Sequence, residues 1–90
     1  MLHIIRLSPF KVQLEELRRL VKPSDEVLLI DDGTYFLNAN ALESLSYNKA
    51  YTASAHCEAR NITANADITV LDQAQTATLI IQHSTTLTWQ

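Results

Sequence analysis

Glu26-Val27-Leu28-Leu29-Ile30-Asp31-Asp32-Gly33 decides the fold of this chain. Four successive apolar residues stand between acids, with no polar residue to place on a solvated face. A strand built from them has to be covered on both sides, which is the pattern of a parallel sheet inside an α/β layer fold. Asp31-Asp32-Gly33 reads as the turn that ends this strand.

Moving toward the start of the chain, Leu2 to Leu7 is a second short apolar run, partly β-branched, and reads as a strand. Ser8 is a suitable N-cap and Pro9 suits the first helical position, where its missing N–H costs nothing. Leu7 and Val12 are placed to form a hydrophobic staple around that cap. Phe10, Leu14, Leu17 and Val21 follow at helical spacing with Leu20 beside them, and Glu15, Glu16, Arg18 and Arg19 fill the other side. The spacing predicts an amphipathic helix over about residues 9–21, closed by Lys22-Pro23.

Moving toward the end, Asn40-Ala41-Leu42-Glu43 has capping-box spacing and predicts a short helix to about Leu45 or Ser46. Lys49 to Ala55 is a strand candidate, and His56 to Arg60 fits one helical turn. Asn61 then suits the left-handed residue that commonly ends a helix. Ile68 to Leu71 is a further strand. Asp72-Gln73-Ala74-Gln75 again has cap-box spacing and opens a helix to about Gln82, whose Leu79-Ile80-Ile81 run is apolar beyond one face. The tail from Thr85 to Trp89 reads as extended. Alternation of this kind predicts a small three-layer α/β/α domain over residues 1–90 with a mostly parallel sheet of about four strands.

Composition excludes several function classes. Hydrophobic residues make up 47% of the 90 and charged residues 19%, too apolar a balance for intrinsic disorder. The formal charge of −3 argues against tight, direct nucleic-acid binding, which needs a basic surface. No apolar run approaches the ~20 residues of a membrane span, and the first residues lack the form of a signal peptide, so the cytoplasm is the expected compartment. The single glycine, Gly33, leaves no Gly-rich phosphate loop. The single cysteine, Cys57, rules out an internal disulfide and a Cys-rich zinc site.

In open parallel sheets, sites lie outside the carboxyl ends of the strands. Here those ends deliver Ser8, Asp31, Asp32, His56 and Cys57. Cys57 is the sole candidate thiol nucleophile; at the start of a helical turn the helix dipole would favour its thiolate. The plainer reading is a small apolar residue packed against the sheet, because free cysteines are commonly buried. Asp31-Asp32 offers a carboxylate pair for a metal or for acid–base chemistry, but Asp before Gly is first an ordinary turn signal. His3, His56 and His83 lack metal-ligand spacing and read as surface or capping histidines, so no metal and no cofactor are expected. A large aromatic one position from the last residue, Trp89, suggests docking to the core or to a partner.

Several stretches together resemble the TusB/DsrH family. These are Met1-Leu2-His3 with Ser8-Pro9-Phe10, Asp25-Glu26-Val27-Leu28-Leu29-Ile30-Asp31-Asp32-Gly33, Leu42-Glu43-Ser44-Leu45, Ala50-Tyr51, and Ala59-Arg60 before Asn61-Ile62-Thr63. His83 and Trp89 fit the family's ending. The resemblance implies a DsrE-like α/β/α fold and a non-catalytic subunit of a heterohexamer with TusC-like and TusD-like partners. It also implies a relay of persulfide sulfur toward 2-thiolation of the tRNA wobble uridine, with the sulfur-carrying cysteine on the TusD-like subunit. Cys57 stands where the family resemblance expects an apolar residue, and Asn61 replaces the usual Gly. Leu79, Ile80, Ile81 and Trp89 are the expected interface residues. The alternatives are a DsrH-like sulfur carrier using Cys57 in sulfur oxidation, and a homo-oligomeric module binding a small ligand at the strand ends.

Overall fold

A computed structural model describes residues 1–38 and 41–90. Five strands, β1 (Leu2–Ile5), β2 (Glu26–Leu29), β3 (Lys49–Ala53), β4 (Thr69–Leu71) and β5 (Thr86–Trp89), form one sheet in the order β4-β3-β2-β1-β5. Every pairing in it is parallel. The sheet has one strand more than the four counted from the sequence because the extended tail joins it. Leu2 N–H donates to Thr85 O at 3.1 Å and Arg6 N–H to Trp89 O at 3.0 Å, at the two ends of the β1–β5 pairing.

The central strand reads as its composition requires. Val27 and Leu29 point into one core with Ile5, Leu17, Val21 and Phe36, while Leu28 points into the other with Leu2, Ile4, Leu71 and Leu79. All three β2 residues are fully buried, which is why the run carries no polar position. The first face is covered by α1 (Leu14–Leu20) and by two 3-10 helices, Asp31–Leu37 and Ala41–Ser44. The second is covered by α3 (Gln73–Gln82) through Leu79 and Ile80. α3 starts as its spacing predicts: Asp72 accepts from Gln75 N–H at 2.7 Å, and the Gln75 side chain accepts from Asp72 N–H at 2.9 Å.

Four expectations are corrected. The first helix does not begin at Pro9. Lys11 and Val12 N–H both donate to Ser8 O, closing a separate turn, and extended Gln13 restarts the chain as the cap of α1. Ser8 therefore caps no helix, and Phe10, expected on the apolar face, is 87% exposed. Val12 still reaches the core, and Leu7 packs against it. Asp31-Asp32-Gly33 opens a 3-10 helix rather than a simple turn. Gly33 is needed there for space: a Cβ on it would lie 1.9 Å from Ile5 O. The short helix α2 (Ser54–Ala59) begins earlier than expected, at Ser54. His3, expected at the surface, is 1% exposed. Asn40, the expected cap of the second helix, lies outside the described residues. Asn61 does take the left-handed conformation anticipated for it, with φ 53°.

Candidate functional site

The carboxyl ends of β1, β2 and β3 bring together Arg6, Asp31, Asp32, His56 and Arg60. Asp31 follows β2 with φ 50°, a left-handed conformation that Asp tolerates better than most residues. In this conformation its backbone N–H donates to His56 Nδ1 at 2.7 Å. A nitrogen that accepts carries no proton, so the neutral imidazole holds its proton on Nε2. Asp31 Oδ2 accepts from Arg6 Nε at 2.7 Å, and Arg6 Nη1 donates to Gln90 Oε1 at 3.0 Å. Arg60 Nε donates to Asp32 Oδ1 at 3.0 Å, and Arg60 Nη1 to the His56 carbonyl at 3.3 Å. Two arginines and two aspartates thus neutralise one another, and the cluster carries no spare charge for an ionic ligand. Ser8 stands apart from these contacts; its carbonyl is used in the turn before α1.

His56 and Cys57 point to opposite faces of the sheet. His56 lines a groove of about 480 Å³ with Ala53, Leu71, Gln73, Thr76 and Ile80. Its walls are mostly apolar, and it runs between the strand ends and α3. Cys57 faces the other layer beside Ile62 and Val70. It is 6% exposed and lies on the last turn of α2, not at the helix start, so the dipole argument for a thiolate loses its geometry. Its Sγ is 3.3 Å from Thr52 Oγ1, whose hydroxyl donates to Leu29 O at 2.9 Å. With that hydroxyl proton committed, Thr52 is the acceptor and the thiol is the donor. Cys57 thus packs α2 onto the sheet, its thiol turned to Thr52.

A second polar cluster sits at the amino end of the sheet, and the sequence reading missed its centre, Asp25. Asp25 Oδ2 is 3.0 Å from His3 Nε2 and accepts from Lys22 N–H at 3.0 Å, while Oδ1 accepts from the Met1 ammonium at 3.2 Å. Burial pushes the Asp25 carboxyl up. The bond from Lys22 N–H and those from His3 and the Met1 ammonium outweigh it, so the carboxyl sits below its usual value. His83 pairs with Glu26 at 2.9 Å. Burial, then the Glu26 charge, raise the Tyr51 phenol. The signal for Asp25 was its place before the β2 run, but an isolated acid does not announce a histidine 22 positions away.

Of the expected interface residues, Leu79 is 8% exposed and belongs to the core, which corrects that assignment. Ile80 is half-buried against the same core. Ile81 is 82% exposed on α3. Trp89 is half-buried on its own chain, packed against the first core and donating its indole N–H to His3 Nδ1. Among the described residues no three acids, histidines or cysteines gather in an arrangement that would hold a metal. Among the described residues no helix is long and apolar enough to cross a membrane.

A wholly parallel five-stranded sheet with helices on both faces and polar side chains at its carboxyl ends defines a small DsrE-like α/β protein. The solution structure of protein Tm0979 from Thermotoga maritima has the same fold, with a TM-score of 0.60 over 90% of this chain and 92% of that one at 17% identity. The family model for DsrH like protein matches residues 7–86, and the chain belongs to that family. Protein TusB of Escherichia coli O1:K1 is 34% identical over 95 residues, covering 99% of this chain and all of that protein. Protein TusB of Shigella boydii serotype 18 matches to the same extent.

Proposed function

We propose that this chain is a non-catalytic subunit of a cytoplasmic sulfur-relay complex that supports 2-thiolation of the tRNA wobble uridine, assembled with TusC-like and TusD-like subunits. The observation that carries this reading is the end-to-end likeness to TusB, with nothing of that protein left uncovered. Two features of the chain agree with it. Cys57 is buried as a thiol donor to Thr52, the state of a packing residue and not of a persulfide carrier. Ile81 stands 82% exposed on α3, a large apolar side chain placed for a partner. The net charge of −3 agrees with a complex in which other subunits contact the RNA.

The test is co-purification of the tagged chain from its host, followed by replacement of Cys57→Ser and measurement of tRNA thiolation. Two small α/β partners, one carrying a reactive cysteine, and near-normal thiolation in Cys57→Ser are the expected results. Loss of thiolation in Cys57→Ser with the complex still assembled would reject the reading and favour a carrier role for Cys57. Recovery of the chain with no other protein would reject the complex.

A further inference from the structure

Both ends of the last strand are fastened through histidines to two consecutive acids, Asp25 and Glu26, at the amino end of β2. At the start, His83, the C-cap of α3, has Nε2 2.9 Å from Glu26 Oε1. At the far end, Trp89 donates its indole N–H to His3 Nδ1 at 3.1 Å, and His3 Nε2 lies 3.0 Å from Asp25 Oδ2. The two joints answer a proton in opposite ways. His83 meets its acid through Nε2, which donates whether the ring is neutral or charged, and a positive ring strengthens the pair. His3 has no such freedom. It is 1% exposed, its Nε2–H is given to Asp25 and its Nδ1 accepts. A second proton can go only on Nδ1, where it would face the indole N–H, two donors at 3.1 Å. The indole meets the ring along its N–H edge, the positive rim of its quadrupole, so cation–π attraction does not offset this.

We propose that protonation of His3 releases the Trp89 end of β5 from β1 while His83 holds its start, so that the last strand opens as an acid-operated flap. Of the two partners of His3, the indole is the one that leaves. A half-buried indole can move into water, whereas a buried imidazolium cannot give up its carboxylate. Among the described residues, the charges about His3 are the Asp25 carboxylate and the Met1 ammonium on its other oxygen. The segment after α1 brings Lys22 to that carboxylate through its backbone N–H, and β5 carries no charge. About His83, β3 brings Lys49, opposite Glu26 in the strand register, and Tyr51, whose phenol feels the Glu26 charge. Opening breaks the bond from Arg6 N–H to Trp89 O, at 3.0 Å, and the one from the Arg6 guanidinium to Gln90; Arg6 is exposed, so water takes their place. The bond from Leu2 N–H to Thr85 O, at 3.1 Å and two residues from His83, stays closed.

The inference concerns how this chain fastens its own last strand and does not depend on the sulfur-relay reading. Trp89 is the only tryptophan of the chain, so tryptophan emission reports this strand alone. On titration of the full chain from about pH 8 to about pH 5, the range in which histidine changes charge, that emission is expected to shift to the red. Over the same range the protection of Arg6 N–H against hydrogen exchange should fall ~10-fold or more relative to that of Leu2 N–H, as loss of one buried hydrogen bond implies. His3→Gln, an amide that takes no proton, should abolish both changes. His83→Gln, which still donates to Glu26, should leave both in place, and His83→Ala should let Leu2 and Arg6 lose protection together. Constant emission and constant Arg6 protection in the wild type would overturn the inference. So would equal loss of protection at Leu2 and Arg6 in the wild type, or quenching without a red shift, which places a charged ring beside an indole that has not moved. Should His3→Gln fail to fold, the wild-type titration and His83→Gln decide: a pH response abolished by His83→Gln would overturn the assignment to His3.

Discussion

The indole N–H of Trp89 donates to Nδ1 of His3 at 3.1 Å, tying the last strand of the chain to the first. Indole nitrogen can only donate, so Nδ1 accepts and the proton of the neutral ring sits on Nε2, 3.0 Å from Asp25 Oδ2. Trp89→Phe keeps the aromatic contact but leaves a buried nitrogen without its donor. The expected result is a loss of about 1–3 kcal/mol in urea unfolding followed by circular dichroism. An unchanged midpoint and slope would show that the bond contributes nothing.

Asp25 sets a pH dependence of known sign. Its carboxyl lies below the usual value in the folded chain, held there by Lys22 N–H, His3 and the Met1 ammonium against the opposing effect of burial. A depressed acid stabilises the fold above the unfolded value of about 3.9 and loses that contribution as pH falls through the folded one. Unfolding free energy is therefore expected to decline below about pH 4 in the wild type, and to decline less steeply in Asp25→Asn. Parallel curves for the two proteins would assign the acid lability to other carboxylates.

Gly33 is required by a backbone and not by its own dihedral angles. Its N–H donates to Ile30 O at 2.8 Å, and Ile30 N–H donates to Ile5 O at 3.1 Å, so the start of the 3-10 helix lies on the end of β1. A methyl group at Gly33 would meet Ile5 O at 1.9 Å and Ile5 C at 2.7 Å. Neither atom can move without disturbing the β1–β2 pairing. Gly33→Ala is expected to cost about 3 kcal/mol, at the upper end of overpacking effects, and to lower Tm by about 12 °C or more. A Tm within a few degrees of wild type would mean that the 3-10 segment re-forms elsewhere.

Ile80 and Ile81 separate folding from assembly. Ile81→Asp exchanges a side chain that is 82% exposed, so stability should stay within about 0.5 kcal/mol of wild type. Co-elution with heterologous partners should nonetheless fall at least ~10-fold, a loss of about 1.4 kcal/mol in binding. Ile80→Asp places a charge against the Leu28–Leu71–Leu79 core and should destabilise the fold as well. Normal co-elution of Ile81→Asp would remove α3 from the interface.

Much of the architecture was legible because burial leaves a mark on composition. The Val27–Ile30 run announced a strand covered on both faces, Asp72 and Gln75 announced a cap, and Asn61 announced a left-handed end. The start of α1 was not legible. Ser8-Pro9 is a sound cap signal, yet Ser8 O closes an independent turn and the helix waits for Gln13. His3 was misjudged for a related reason. A histidine inside an apolar run looks like an interruption until the partners that satisfy both of its nitrogens are known.

The sequence by itself determined the layer order, the parallel central strands and the family to which the chain belongs, because these depend on local periodicity and on residues read in order. Tertiary structure alone decided which chemistry is available. It turned His56 and Cys57 to opposite faces, committed the Thr52 hydroxyl to Leu29 so that Cys57 is held as a thiol donor, and buried Leu79 while leaving Ile81 in solvent. It also carried the tail to the sheet edge, where Trp89 meets His3. Such contacts join residues dozens of positions apart, and their geometry is set by how the layers pack, which no local pattern encodes.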